Sequence, residues 1–189
     1  MARPREFEPE TALSNITEVF WKQGFEGTSM HDIEAATGLK KQSLYRAFGD
    51  KRGMYLAALR HYEETEVYSA LDLLAAPGSA RAKIERLFKG LLDAVEKNDR
   101  RGCFLCNAST DQAQLDPQTK AWVTETLGRL ERGFRSALAV SAPYDKNVSI
   151  RNKTAARVLA TYLGLRVLVK AGTPLASLKS TARQTLAGI

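Results

Sequence analysis

Five residues in six consecutive positions carry groups suited to reading nucleic acid: Lys41, Gln42, Ser43, Tyr45 and Arg46. Side chains of these types bond base edges and phosphate oxygens, and an aromatic edge packs against a thymine methyl or a sugar. The spacing adds a constraint. Leu44 and Phe48 stand four apart, so on a helix they share one face, directed at Ile33 and the first helix, and leave the polar groups on the other. Lys51 follows the capping residue Asp50, at a helix start where free main-chain amides also favour a phosphate.

A second group with reactive potential is the Cys103-x-x-Cys106 pair, preceded by Arg100 and Arg101. Both sulfurs fall near an expected helix N-terminus, where a thiolate is favoured, and the arginines add positive charge. Two readings stand side by side: a thiol switch, or two small buried residues. A zinc site would need two further ligands, and the only histidines, His31 and His61, lie far back in the sequence. On a regular helix the pair would be too far apart for an undistorted disulfide. Elsewhere there is no nucleophile–His–carboxylate group, no glycine-rich phosphate loop and no two-histidine metal pattern, so the expectation is a non-enzyme without metal or other cofactor.

The elements that must position these residues read as helices throughout, with no alternating strand pattern. Leu13, Ile16, Val19 and Phe20 define one face of a first helix, begun by Pro9 and ended by Gly24. Ser29-Met-His-Asp32 reads as a capping box opening a short second helix that stops at Gly38. A third covers roughly 40–48, and Asp50 opens a long fourth towards Leu74. After the break at Ala76-Pro-Gly-Ser79, longer helices are expected over about 80–97, 103–115, 117–140, 149–171 and 174–188, about nine in all. Two short helices joined by a glycine-containing turn are the layout of a helix-turn-helix.

Charge supports this division by its distribution more than by its total. The net charge is +7, but residues 1–60 hold nine bases against eight acids. From Glu6 to Glu34 there are seven acids and one base, whereas 37–60 holds six bases and only Asp50. The last 44 residues contain eight bases and no acid, so Asp93, Glu96, Glu125 and Glu131 are expected to meet some of them. Arg3 and Arg5 offer a basic arm for a minor groove, or a simple tail. No apolar run approaches a membrane span and no secretory signal is seen, so no membrane contact and a cytoplasmic setting are expected.

The run from Phe25 through Gly27-Thr-Ser-Met-His-Asp-Ile to Tyr45-Arg-Ala-Phe-Gly-Asp-Lys51 resembles the signature of the TetR/AcrR family of transcriptional regulators, over about fifty residues. The resemblance implies an all-α chain with a three-helix DNA-binding unit over 1–51 and a helical effector-binding and dimerisation unit over 52–189. It implies a homodimer on a palindromic, double-stranded operator, most often a repressor released by a small molecule. By position, Lys41, Gln42, Ser43, Tyr45 and Arg46 would face the groove, while Thr28, Ser29, His31 and Lys51 would hold the backbone. Gly53 departs from the family's usual acidic residue, which is expected to loosen the fourth helix. Some family members with a cysteine near Cys103 sense oxidants or electrophiles, so a thiol-based sensor on the same scaffold is the alternative.

For the second unit, the apolar ridges Leu159, Leu163, Val167 and Leu175, Leu178, Ala182, Leu186 suggest either the dimer contact implied by the family, made by the last two helices, or completion of each monomer's core. Tyr62, Phe88, Phe104, Asn107, Trp122, Phe134 and Tyr162 are candidate linings of an effector pocket, against the alternative that each is ordinary core. Arg166, a base within an apolar stretch, either meets solvent or a carboxylate, or enters the pocket and pairs with an anionic effector.

Overall fold

The computed structural model describes residues 9–112 and 116–189, so Arg3, Arg5 and the expected helical residues 113–115 lie outside the described part. Helix α1 (Pro9–Gly27) buries Ala12, Ile16 and Phe20, spaced by four, and breaks at Gly24, whose φ of 76° suits glycine. Helix α2 (Met30–Thr37) starts with the expected capping box. The Ser29 hydroxyl accepts from the Asp32 amide, and the Asp32 carboxylate accepts from the Ser29 amide at 2.7 Å. Such a cap contributes about 1 kcal/mol.

Helix α3 (Lys41–Phe48) is capped from outside. Its N-cap, Lys40, offers no acceptor, and the Glu34 carboxylate of α2 takes the Lys41 amide at 2.7 Å. The two short helices are thus tied where the polar face of α3 begins. Leu44 is fully buried, and Ile33 of α2 lies in the same core.

Helix α4 (Lys51–Tyr62) is capped by Asp50, whose carboxylate accepts from the Gly53 amide at 2.7 Å. A Cβ on Gly53 would stand 2.2 Å from the Phe48 carbonyl oxygen. Glycine therefore does the opposite of the expected loosening: it lets α4 start hard against the end of α3. A π turn (Glu63–Val67) leads without interruption into α5 (Tyr68–Ala75), so 51–75 is a single rod. The expected break then separates it from α6 (Ala80–Glu96).

Helix α7 (Phe104–Thr110) is shorter than the expected 103–115, with Cys103 as its N-cap. Helix α8 (Pro117–Leu138) starts at Asp116-Pro117, α9 (Val148–Lys170) at Asn147, and α10 (Leu175–Ala187) after Pro174. Among the described residues, counting α4 and α5 as one rod gives the nine helices expected, and no strand occurs.

One apolar core runs from Ile16 to Leu186. Its aromatic spine crosses between the N-terminal helices and the body in edge-to-face pairs: Phe20 on Tyr55 at 5.2 Å, Tyr55 on Phe104 at 5.6 Å, Phe104 on Tyr62 at 5.7 Å, and Tyr62 on Trp21 at 4.9 Å. Such pairs contribute about 1 kcal/mol each beyond their buried area. The ridge of α10 completes this core, since Leu178, Ala182 and Leu186 are buried within the chain. On α9, Leu159 is buried, Leu163 half-buried and Val167 open. Of the acids expected to meet the basic C-terminal stretch, Glu96 takes Lys179 at 2.6 Å, while Asp93, Glu125 and Glu131 pair one turn along their own helices with Lys89, Arg129 and Arg135.

Candidate nucleic-acid interface and inner cavity

Burying Leu44 turns the opposite side of α3 outwards. Lys41, Gln42, Tyr45 and Arg46 are exposed and Ser43 is half-buried. The Lys41 ammonium stands 5.3 Å from the Tyr45 ring centre, a cation–π contact that steadies both. Tyr45 keeps 40% of its surface open. This face presents donors, acceptors and cations on one rigid helix, a set able to bond phosphates and base edges.

The flanking candidates divide by availability. His31 is exposed at the start of α2. Ser29 is exposed, but its hydroxyl is engaged with Asp32 at 2.6 Å, and those bonds hold the Asp32 carboxyl below its usual pKa. Thr28 is buried, its hydroxyl donating to the Gly24 carbonyl at 2.7 Å. Lys51 is half-buried with its ammonium 4.5 Å from the Phe25 ring centre, which fixes its direction at the α4 N-terminus.

Helix α7 and the segment before it join this head to the body. The Asn107 side-chain amide donates to the Trp21 carbonyl at 3.2 Å, and the Asp111 carboxylate accepts from the Phe25 amide at 3.0 Å. Arg101 stacks on the Trp21 ring, 3.9 Å from its centre, and pairs with Asp99 and Glu18. At the foot of α4, Arg52 donates to Asp116 at 2.7 Å and to Gln118 at 2.8 Å. Burial pushes the Asp116 carboxyl up, but the bonds from Thr119 and Arg52 outweigh it and hold its pKa at about 2.

Between α1, α5, α6 and α9 a half-open cavity of about 310 Å³ is lined by Trp21, Leu73, Leu87, Leu91, Tyr162 and Arg166, among others. The pocket candidates thus separate. Tyr162 and Arg166 line this cavity, and Asn107 lines a different groove with Cys106 and α9. Tyr62, Phe88, Phe104 and Phe134 are core residues outside the cavity wall. Trp122 is committed to the buried Glu63 carboxylate, to which it donates at 2.9 Å beside Arg129 at 2.7 Å. Trp21 was missed, because its spacing marks it as core of α1 and nothing local shows that α1 reaches the cavity.

Cys103 is buried and Cys106 half-buried, and both are free thiols. The Cys103 sulfur caps α7, 3.5 Å from the Cys106 amide and 3.4 Å from the Tyr62 hydroxyl. The hydrogen bond from Cys106 and the charge of Arg166 pull the Cys103 thiol below its ordinary pKa, against the penalty of burial, while Cys106 is pushed up.

The family model for bacterial regulatory proteins of the tetR family matches residues 12–58, the segment that builds α1 to α4. The chain is 32% identical over 139 residues to an uncharacterised HTH-type transcriptional regulator, YezE of Bacillus subtilis strain 168, covering 73% of this chain and 72% of that one. It is 30% identical over 110 residues to the HTH-type transcriptional repressor ComR of Escherichia coli K12, a match spanning 57% of this chain and 52% of ComR. Among solved structures, a cysteine mutant of the TetR family regulator CifR in complex with a 26-bp operator superposes with a TM-score of 0.83 at 26% identity over 98% of both chains. The chain belongs to the TetR family of helix-turn-helix transcriptional regulators.

Proposed function

We propose that this regulator is a repressor that binds a palindromic operator as a homodimer and leaves it when a small molecule enters the inner cavity. Residues 1–51 form the DNA-binding unit and 52–189 the effector-binding and dimerisation unit. The observation that carries the reading is the outward face of α3, where Lys41, Gln42, Tyr45 and Arg46 stand exposed on a helix locked by Leu44 and the Glu34 cap. Gln42, Ser43 and Tyr45 contact bases, while Lys41 and Arg46 contact bases or phosphates. His31, Ser29 and Lys51 hold phosphates, and Thr28 supports them from within.

The dimer contact falls on α8 and α9 rather than on α10, whose ridge is already used. A groove between α8 and α9 is lined by Leu127, Gly128, Ala156, Ala160 and Leu163, and Val167 and Leu168 lie open beyond it. Small residues there let a second copy approach closely. The experiment is to pass sheared genomic DNA from the source over the purified chain at low salt and sequence what is retained. Enrichment of an inverted repeat is expected, with half-sites about one helical turn apart. No enrichment over bulk DNA would refute the reading.

A second reading is favoured by the Cys103 sulfur at the start of α7, beside Tyr62 and Cys106. We propose it as an alternative trigger, in which an oxidant or electrophile modifies the pair and disturbs the α7 ties to Trp21 and Phe25. Operator release by peroxide, hypochlorite or an α,β-unsaturated carbonyl, lost in Cys106→Ser, is its signature. Equal release in both proteins removes it.

A further inference from the structure

We propose that the cavity ligand is a small carboxylate with an apolar body, its carboxylate held by Arg166 with the Trp21 indole N–H as a second donor. This rests on the effector reading above and names the chemistry of that site. Arg166 of α9 lines the cavity, and its guanidinium donates only to neutral groups: the Gly102 carbonyl at 3.0 Å and the Tyr162 hydroxyl at 2.8 Å. No carboxylate among the described residues lies within 4.0 Å of it. Of the other charged groups on the wall, Asp99 pairs with Arg101 at 2.6 Å, Arg101 being shared with Glu18, and Glu66 stands exposed. The half-buried guanidinium has no carboxylate in contact, its charge being felt at the Cys103 thiol and Asp99, and an entering carboxylate would give it a direct partner.

Trp21 is an independent observation pointing the same way. It is 4% exposed, it lines the cavity, and its Nε1 has no hydrogen-bond partner. A buried indole N–H normally finds an acceptor. A carboxylate offers two oxygens, enough to accept from the guanidinium and the indole together. The remaining wall, with Ala70, Leu73, Leu87, Leu91, Val95 and Val169, suits an aryl or short alkyl body, and about 310 Å³ sits at the small end of ligand pockets. Because Trp21 belongs to α1, such a ligand would bridge the body directly to the helix that carries the reading head.

The test uses the full chain and calorimetry with benzoate, phenylacetate, hexanoate and octanoate, each against its primary amide. At least one carboxylate is expected to bind, with its neutral amide roughly thirtyfold weaker or worse. Arg166→Gln should abolish the preference for the acid, and Trp21→Phe should weaken it. Arg166 also braces Gly102, so a variant that leaves it intact is needed. Gly90 lines the cavity and a Cβ there meets nothing within 4 Å, so Gly90→Leu fills the space on an α6 that should remain folded. It should lose carboxylate binding while keeping operator affinity. Binding of no carboxylate, or equal binding of acid and amide, overturns the proposal. If a carboxylate binds through Arg166 but leaves operator affinity unchanged, the anion site stands and release by that ligand fails.

Discussion

The carboxylate of Asp111, just beyond α7, accepts a hydrogen bond from the main-chain amide of Phe25, freed where α1 breaks at Gly24. The reading head is therefore fastened to the body at the turn that leads into α2. With the Asn107 bond to Trp21 it gives α7 two grips on α1. Asp111→Ala removes one grip and leaves the Phe25 amide without its partner. The expected loss is about 1–2 kcal/mol in urea denaturation, with weaker operator binding although no contact residue has changed. Unchanged values for both would mean that the tie is idle.

Gly53→Ala tests whether the glycine is tolerated or required. Helix propensity alone predicts a gain of up to about 1 kcal/mol. The Cβ would meet the Phe48 carbonyl at 2.2 Å, so the start of α4 must move away from α3. Net destabilisation of about 1–3 kcal/mol is expected, as for other forced contacts. A rise in melting temperature would show that the junction is slack.

The Arg52–Asp116 pair gives a pH signature. Asp116 has a folded pKa of about 2, below the roughly 3.9 of an unfolded aspartate. Its contribution is thus fully present above about pH 4 and lost as the pH falls towards 2. Since Arg52 is 49% exposed, that contribution is about 1 kcal/mol or less at neutral pH. Asp116→Asn keeps a helix cap and loses the charge, so its denaturation midpoint should lie below wild type at pH 7 and approach it below pH 4. A constant gap would assign the effect to the cap alone.

The reading head was legible because its signals are local. The Ser29–Asp32 capping box, Gly24, Gly38 and the Leu44–Phe48 spacing act within a turn or two, and the order and number of helices followed from the same kind of signal. What stayed hidden depends on partners distant in sequence. Glu34 reads as a solvent-facing acid until α3 is placed beside it, and Gly53 reads as a weak residue until the Phe48 carbonyl appears against it. The cavity wall is the extreme case. Of the aromatic candidates, Tyr62, Phe88, Phe104 and Phe134 are core while Tyr162 lines the wall. Arg166 was named from the sequence, but nothing local shows that Trp21, 145 positions away, lines the same space. The π turn at Glu63–Val67 left no sequence sign, and it positions a carboxylate for Trp122 and Arg129.

The most direct test of the central claim is operator affinity measured by fluorescence anisotropy across a salt series for wild type, Tyr45→Ala, Lys41→Ala and Lys51→Ala, with circular dichroism confirming that each is folded. If the outward face of α3 reads the operator, Tyr45→Ala should cost about 1–3 kcal/mol. Each lysine variant should bind more weakly and lower the slope of log affinity against log salt by about one if it contacts a phosphate. Folded variants that all bind the retained operator as wild type does, with the same salt slope, would contradict the account.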